Sequence, residues 1–294
     1  MTKYSKFLFH CRGYPTLPAR PRLSAVWRRL PIRGCLAALL CAATVLHAQE
    51  IRVGGTGGAL GTMRLLGQAF ANQYPQMKVT VLPSLGSGGG IRALLAHAID
   101  LAVSSRALTP AEISAGAVAT EYARTPFVFA TAPSIPVTKI TSSELIDIYS
   151  GRTTHWPGGS RIRIILRPTG DSDSTLIKSI SPAMSDAKTL AESRQGMAFA
   201  VTDQDSADAL ERVPGALGPT TLAQIIAEGR ELRALQLDGV APSVAALADG
   251  SYRLHKTLLM VVAANPSGAT RQFMAFVRSP RGRQILQQNG HWVP

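Results

Sequence analysis

Four stretches of this 294-residue chain are rich in glycine, serine or threonine and stand where apolar runs give way to helical patterns: Gly54-Gly55-Thr56-Gly57-Gly58, Gly86-Ser87-Gly88-Gly89-Gly90, Ser104-Ser105-Arg106, and Arg167-Pro168-Thr169-Gly170-Asp171-Ser172-Asp173-Ser174. The first N–H groups of a helix lack internal acceptors and carry partial positive charge. Small residues let an anion reach those groups, and hydroxyls add donors. Thr56, Ser87, Ser104, Ser105 and Thr169 are therefore candidates to converge on one oxyanion, with Arg167 supplying two parallel hydrogen bonds. A single loop of this kind says little, because glycine-rich turns usually serve turn geometry alone. Several of them at strand ends are far more specific. Arg106 reads either as a second cation of the site or as a solvated residue after a strand.

The elements that must position these residues alternate. Ile51–Val53 reads as a strand, followed by a helix with Met63, Leu66, Phe70 and Tyr74 at helical spacing and an end at Pro75. Lys78–Val81 is a second strand, Gly86–Gly90 a loop, and Ile91, Leu94, Leu95 and Ala98 mark a second helix. Ile99–Val103 is a third strand. This rhythm predicts a largely parallel sheet covered by helices, with the loops at the C-terminal strand ends where open α/β sheets bind ligands. A buried strand at Thr125–Thr131 and the passage Ala132-Pro133 lead into a second unit with a strand at Ile162–Leu166 and a helix from near Thr175. After Gly239 come a strand at Thr257–Ala263 and helices at Ala269–Arg278 and Pro280–Gln288, expected to pack on the first unit.

Bulk properties depend on where folding begins. Residues 1–33 hold eight basic side chains and no acidic one, and an apolar run from Leu36 to Leu46 precedes His47-Ala48. That pattern reads as a secretory signal peptide over 1–48, cut near Ala48, with an exported, periplasmic product. The run falls well short of the ~20 apolar residues needed to span a bilayer. All three cysteines (Cys11, Cys35, Cys41) lie in this leader, so the remaining chain has no thiol for catalysis or metal binding. Removing the eight leader cations from 31 basic residues, against 18 acidic ones, lowers the net charge from +13 to +5 and argues against a nucleic-acid partner. His97, His155, His255 and His291 are scattered without metal-ligand spacing, and no cofactor or metal is expected. Gly170-Asp171-Ser172 faintly suggests a hydrolase nucleophile, but position 174 is Ser where the motif needs Gly, and no Gly-Lys pair offers a phosphate loop. An enzyme is not expected.

Gly86-Ser87-Gly88-Gly89-Gly90-Ile91 followed by Asp100-Leu101-Ala102-Val103-Ser104-Ser105 resembles the first domain of the phosphate-binding proteins of ABC transporters. Ile140-Thr141-Ser142-Ser143-Glu144-Leu145, Ile148-Tyr149-Ser150-Gly151-Arg152 and Trp156 resemble the start of that family's second domain. Leu237-Asp238-Gly239-Val240-Ala241-Pro242-Ser243 and Asn265-Pro266-Ser267-Gly268 are similar to its C-terminal segments. The resemblance implies a two-domain periplasmic-binding-protein type II α/β fold with a ligand cleft between domains joined by two hinge strands. The domains expected are 49–131 with 240–294, and 132–239. It further implies a monomer that delivers an oxyanion, phosphate foremost, to an inner-membrane ABC permease. Tungstate, molybdate or sulfate, and a sensing role without transport, stay open.

Family binding positions carry over as Thr56 with the backbone of Ala59 and Leu60, Ser87, and Arg167. Ser105 stands where the best-known members have an aspartate that accepts the phosphate proton, although other members carry Ser-Ser-Arg there. The second-domain loop, usually glycine, serine, glycine, threonine, here contains Asp171, Ser172 and Asp173. A carboxylate ~4 Å from a bound anion is repelled by roughly 4 kcal/mol at an effective dielectric near 20. That exceeds the ~1.5–3 kcal/mol of a charge-assisted hydrogen bond. Asp171 or Asp173 therefore either caps the following helix, facing away from the cleft, or accepts a phosphate proton in place of the aspartate missing at Ser105; loss of oxyanion binding, or a different ligand, is the third alternative. Arg167 is expected to line a wet cleft, so that its loss would leave stability nearly unchanged.

Overall fold

The structure is a computed structural model that describes residues 49–294, so the expected leader lies outside the described residues. The first elements are β1 (Gln49–Gly55), α1 (Gly57–Gln73), β2 (Met77–Val81), α2 (Gly86–Leu95), β3 (Leu101–Ser104), α3 (Pro110–Ser114) and β4 (Ala117–Thr131). A middle stretch follows: β5 (Lys139–Ile140), α4 (Ser142–Ser150), β6 (Arg163–Leu166), α5 (Ser172–Lys178), α6 (Pro182–Ser193), β7 (Ala198–Phe199), α7 (Asp203–Arg212), β8 (Ala216–Thr221) and α8 (Leu222–Ala227). The chain closes with β9 (Arg233–Ala234), β10 (Gln236–Leu237), α9 (Val244–Ala248), β11 (His255–Ala263), α10 (Gly268–Arg278) and α11 (Pro280–Gln288).

Helix α1 buries Leu60, Met63, Leu66 and Phe70, a stripe at helical spacing. It stops at Tyr74, because the residue before Pro75 is pushed out of the helical region. Phe70 stacks edge-on against Phe273 and Phe276 of α10, which ties the C-terminal helices to the first strands. Helix α2 starts at Gly86 rather than after Gly90, so the expected glycine loop is the first turns of a helix. Glycine costs a helix interior about 1 kcal/mol relative to alanine. Here close approach outweighs that cost, since a Cβ at Gly90 would lie 2.6 Å from the Gly55 Cα on β1. Likewise α5 begins at Ser172, earlier than the expected Thr175, because Asp171 supplies a cap to the Asp173 N–H.

The main sheet runs β2-β1-β3-β11-β4-β8-β6-β7, with β9 added to β4. It is mixed, not largely parallel. β1 is parallel to β2 and β3, but β11 is antiparallel to both β3 and β4, and β4 is antiparallel to β8. Strand–helix alternation reports only the connections among β1, β2 and β3. It is blind to β11, which arrives from far along the chain and inserts between β3 and β4. β4 also begins eight residues before the expected Thr125, at Ala117, where residues 117–121 mix buried and exposed positions and lack a continuous apolar signal.

β4 spans two halves of the molecule, pairing with β11 along 117–126 and with β8 along 127–130. One apolar core joins β1, α1 and β3 to β11, α10 and α11. A second is built from Phe127 and Phe129 with α4, β6, α5 and α6, and includes Trp156, whose Nε1 donates to the Gly215 carbonyl. A third gathers Val128, Ala130, Ile165 and Leu210 together with Ala246 and Tyr252. Residues 246–252 thus pack with the second half, although they follow position 240. Among the described residues no helix is long and apolar enough to cross a membrane.

Candidate functional site

The hydroxyl residues meet where the two halves of the sheet join. Thr56 is the N-cap position of α1, yet its side chain makes no cap bond to its own helix. It is buried, and its Oγ1 accepts from Ser105 Oγ at 3.3 Å. Ser87, in the first turn of α2, accepts the Ser105 N–H at 3.0 Å and lies 3.1 Å from Ser105 Oγ. From the other half, Ser172 at the start of α5 reaches Ser105 Oγ at 2.9 Å. Ser105 is therefore the hub of a cluster containing Thr56, Ser87 and Ser172. This placement follows from the strand ends: β1, β3 and the β2–α2 turn deliver their residues to one edge, and β6 leads α5 to the same edge.

Other candidates fall elsewhere. Ser104 is buried and donates to the Arg106 carbonyl at 2.8 Å, so its hydroxyl is committed to the turn. Thr169 is exposed and outside the cluster. Ala59 and Leu60 are wholly buried in the first core, and the Ala59 N–H already donates to the Thr56 carbonyl. Leu60 lies one residue deeper, where an intrahelical acceptor is available. The Gly57 N–H points out of the helix instead and donates to Asp203 Oδ2 at 2.9 Å. Arg106 is engaged by Glu112 at 2.6 Å, and that guanidinium, more than the opposing effect of burial, holds the Glu112 carboxyl down at about 2. Arg106 is thus a partly exposed residue paired to Glu112, not a free cation of the site.

Behind the hydroxyls lies a buried ionic cluster. Arg167, just past β6, is 1% exposed, which corrects the expectation of a wet cleft. Its Nη1 donates to the Ala200 carbonyl at 2.8 Å and its Nη2 to Asp171 Oδ2 at 3.1 Å. Asp173 and Asp203 each approach the guanidinium to 3.6 Å. Asp171 has a double role, capping α5 through the Asp173 N–H at 2.9 Å while holding Arg167. Lys256, near the start of β11 and 3% exposed, contacts Asp173 and lies 3.4 Å from Asp203. Burial raises the Asp173 carboxyl to about 6, with Asp203 and Asp171 adding to the rise and Lys256 and Arg167 opposing it. Burial also pushes Asp203 up, but Lys256 and Arg167 outweigh it and hold that carboxyl below its usual range. Lys256 is raised because Asp173 and Asp203 overcome the effect of its burial.

Two members of this cluster escape a reading of the sequence. Lys256 precedes the expected strand start at Thr257, yet it sits in the buried phase of β11, where Leu258 and Met260 alternate with more exposed neighbours. A lysine in phase with apolar core residues is the signal that could have exposed it. Asp203 sits in the first turn of α7 beside Asp205, in a pattern that resembles ordinary helix-start acids. Beside the cluster opens a cavity of about 560 Å³, lined by Ser105, Arg106, Gly170, Ser172, His255 and Lys256. Ser172 Oγ bonds no histidine nitrogen among the described residues, and His255 Nδ1 is instead 2.8 Å from the Arg253 carbonyl. Among those residues no three His, Cys, Asp or Glu side chains are placed to hold a metal ion.

Hydroxyls, helix starts and buried cations gathered between two α/β halves define a binding protein of the two-lobed kind. The sequence matches the family model described as PBP superfamily domain over residues 42–281, and the chain belongs to that family. It is 26% identical over 216 residues to the phosphate-binding protein PstS of Borreliella burgdorferi, covering 70% of this chain and 76% of that protein. Its fold is that of a Clostridium perfringens putative phosphate ABC transporter substrate-binding protein with bound phosphate (TM-score 0.71, 18% identity, 84% of this chain and 100% of the other). It is shared with an ABC-type phosphate transport receptor from Vibrio cholerae (TM-score 0.59, 21% identity, 84% and 100%) and the periplasmic molybdate-binding protein of Azotobacter vinelandii (TM-score 0.61, 18% identity, 83% and 100%). The fold is the periplasmic-binding-protein type II fold.

Proposed function

We propose that this chain is an exported substrate-binding protein that captures an oxyanion, phosphate foremost, and hands it to an ABC permease. The observation that carries the reading is the convergence of Thr56, Ser87, Ser105 and Ser172 from both halves onto one point beside Arg167 and Lys256. Hydroxyls and helix-start N–H groups suit the oxygens of a tetrahedral anion, and the two cations suit its charge. The names of the relatives favour phosphate, with molybdate as the second choice. Asp173, raised by burial, is suited to share a proton with hydrogen phosphate, while the Ser105 hydroxyl can accept a hydrogen bond from it.

The protein in this reading works as a periplasmic monomer, with residues 1–48 removed and no nucleic-acid partner. The resemblance gives its two domains as 49–131 with 240–294, and 132–239. The packing of Ala246 and Tyr252 beside Val128 favours placing the return crossing near residue 254 instead of 240. Calorimetric titration of the chain from Gln49 with phosphate, sulfate, molybdate and tungstate tests the reading. Saturable binding of phosphate at one site is expected. Absence of heat and of thermal stabilisation with all four anions would remove the proposal.

A further inference from the structure

At the start of α1, where a bound oxyanion would meet its donors, the protein places a carboxylate of its own. Asp203 Oδ2 accepts the Gly57 N–H at 2.9 Å and lies 3.6 Å from Arg167 Nη2, while Oδ1 lies 3.4 Å from Lys256 Nζ. A helix-start N–H, a guanidinium and an ammonium are the partners an oxyanion would take. The residue is 4% exposed, so the contact is made away from water.

Nothing in α7 itself requires this arrangement. Its start is closed by the reciprocal bonds of Thr202 and Asp205, which leaves the Asp203 side chain free to cross to α1. Position 57 leaves room for the start of α7, because a Cβ there would meet Gln204 Oε1 and would lie 2.8 Å from the Asp203 Cβ and Oδ2. The other carboxylates facing these cations are occupied differently. Asp171 caps α5 and bonds Arg167, and Asp173 contacts Lys256. Asp203 alone among the three takes a donor from α1.

We infer that Asp203 is an internal surrogate anion: its carboxylate stands in the oxyanion position, and an incoming anion binds only by displacing it from Gly57 N–H and the two cations. The inference rests on the oxyanion reading. It names a residue that sets affinity and selectivity. Monovalent anions, which bring no more charge than the carboxylate they displace, are disfavoured against doubly charged tetrahedral ones. It also ties the two halves, since Asp203 belongs to the second and Gly57 to the first.

Two variants test it. Asp203→Asn keeps an oxygen for Gly57 N–H and drops the charge, so phosphate and sulfate should bind about tenfold tighter or more than to the parent, because a nearby like charge has gone. Asp203→Ala removes the carboxylate, and sodium formate should then raise the melting temperature of this variant, relative to sodium chloride at equal ionic strength, without doing so in the parent. Asp203→Ser replaces the alanine variant if that one does not fold. Where the parent binds an oxyanion, the affinity comparison decides: an asparagine variant that binds no tighter overturns the inference and leaves the oxyanion reading intact. Where the parent binds none, formate decides: selective stabilisation keeps the surrogate and removes the oxyanion reading, and its absence overturns the surrogate.

Discussion

Two buried ionic networks lie back to back around Ser174, and they are finished differently. On the α6 side, Lys188 is wholly buried, and its Nζ donates to Glu192 Oε1 at 2.7 Å and to Ser174 Oγ at 3.1 Å. Glu192 Oε2 takes Lys178 at 2.7 Å, so this network's carboxylate is met on both oxygens. On the cleft side, Arg167 and Lys256 face Asp171, Asp173 and Asp203, and Arg167 Nε is buried without a hydrogen-bond partner among the described residues. A closed, satisfied network costs desolvation once and then fixes geometry. The cleft network differs in keeping an idle buried donor, Arg167 Nε, which an incoming anion can engage. Ser174 joins the two by donating to the Arg167 carbonyl at 2.9 Å, so the satisfied network braces the strand end from which Arg167 projects.

The largest break in this comparison comes from Arg167→Ala. Truncating one partner of a buried charge-assisted pair typically costs about 2–5 kcal/mol, so phosphate affinity should fall roughly 30-fold or more at about 1.4 kcal/mol per tenfold. Because three carboxylates lean on this guanidinium, stability should fall as well, seen as a lower urea midpoint in the absence of anion. An unchanged midpoint would return Arg167 to the wet cleft that its sequence context suggests. The contrasting change is Lys188→Met. Breaking a buried ion pair costs about 3–5 kcal/mol, and the lower end applies because Lys178 still compensates Glu192. Urea unfolding should report that loss, while calorimetry shows phosphate affinity within about threefold of the parent's. A loss of affinity matching that of Arg167→Ala would merge the two networks into one.

Within the cleft network the members differ in how far the sequence discloses them. Arg167, Asp171 and the hydroxyl cluster are legible because they sit on short loops at strand ends, where local pattern and position coincide. Lys256 and Asp203 are hidden for opposite reasons. Lys256 is masked by strand periodicity, since one lysine in a buried phase reads as the strand's edge. Asp203 is masked by helix-start composition, since acids there are favourable anyway. Lys256 reaches this cluster only because β11 inserts beside β4, a pairing between segments more than a hundred residues apart that no local signal carries. The glycine tract at 86–90 misleads in the same way: Gly90 is there because the Gly55 backbone of β1 packs against it, a neighbour visible only once the chain is folded. For similar reasons the sheet is legible as α/β while its mixed direction is not.

The finest division lies within the hydroxyls, between those that face the site and those that serve the turn. Ser172 Oγ meets Ser105 Oγ at 2.9 Å across the junction of the halves, while Ser104 Oγ donates to the Arg106 carbonyl inside one loop. Ser172→Ala removes a neutral donor that a bound anion could use, worth about 1 kcal/mol, or roughly a fivefold rise in Kd for phosphate. Its effect on stability should be small, because Ser172 is only half-buried and Ser105 keeps its bonds to Thr56 and Ser87. Ser104→Ala should do the reverse, leaving Kd unchanged within error and lowering the urea midpoint, because its buried hydroxyl holds the turn after β3. Calorimetric Kd values and unfolding midpoints for the two variants, taken side by side, check both halves of the expectation. If Ser104→Ala weakened phosphate binding as much as Ser172→Ala, the anion would lie deeper, behind Ser105, and the hydroxyl cluster would be its wall instead of its binding face.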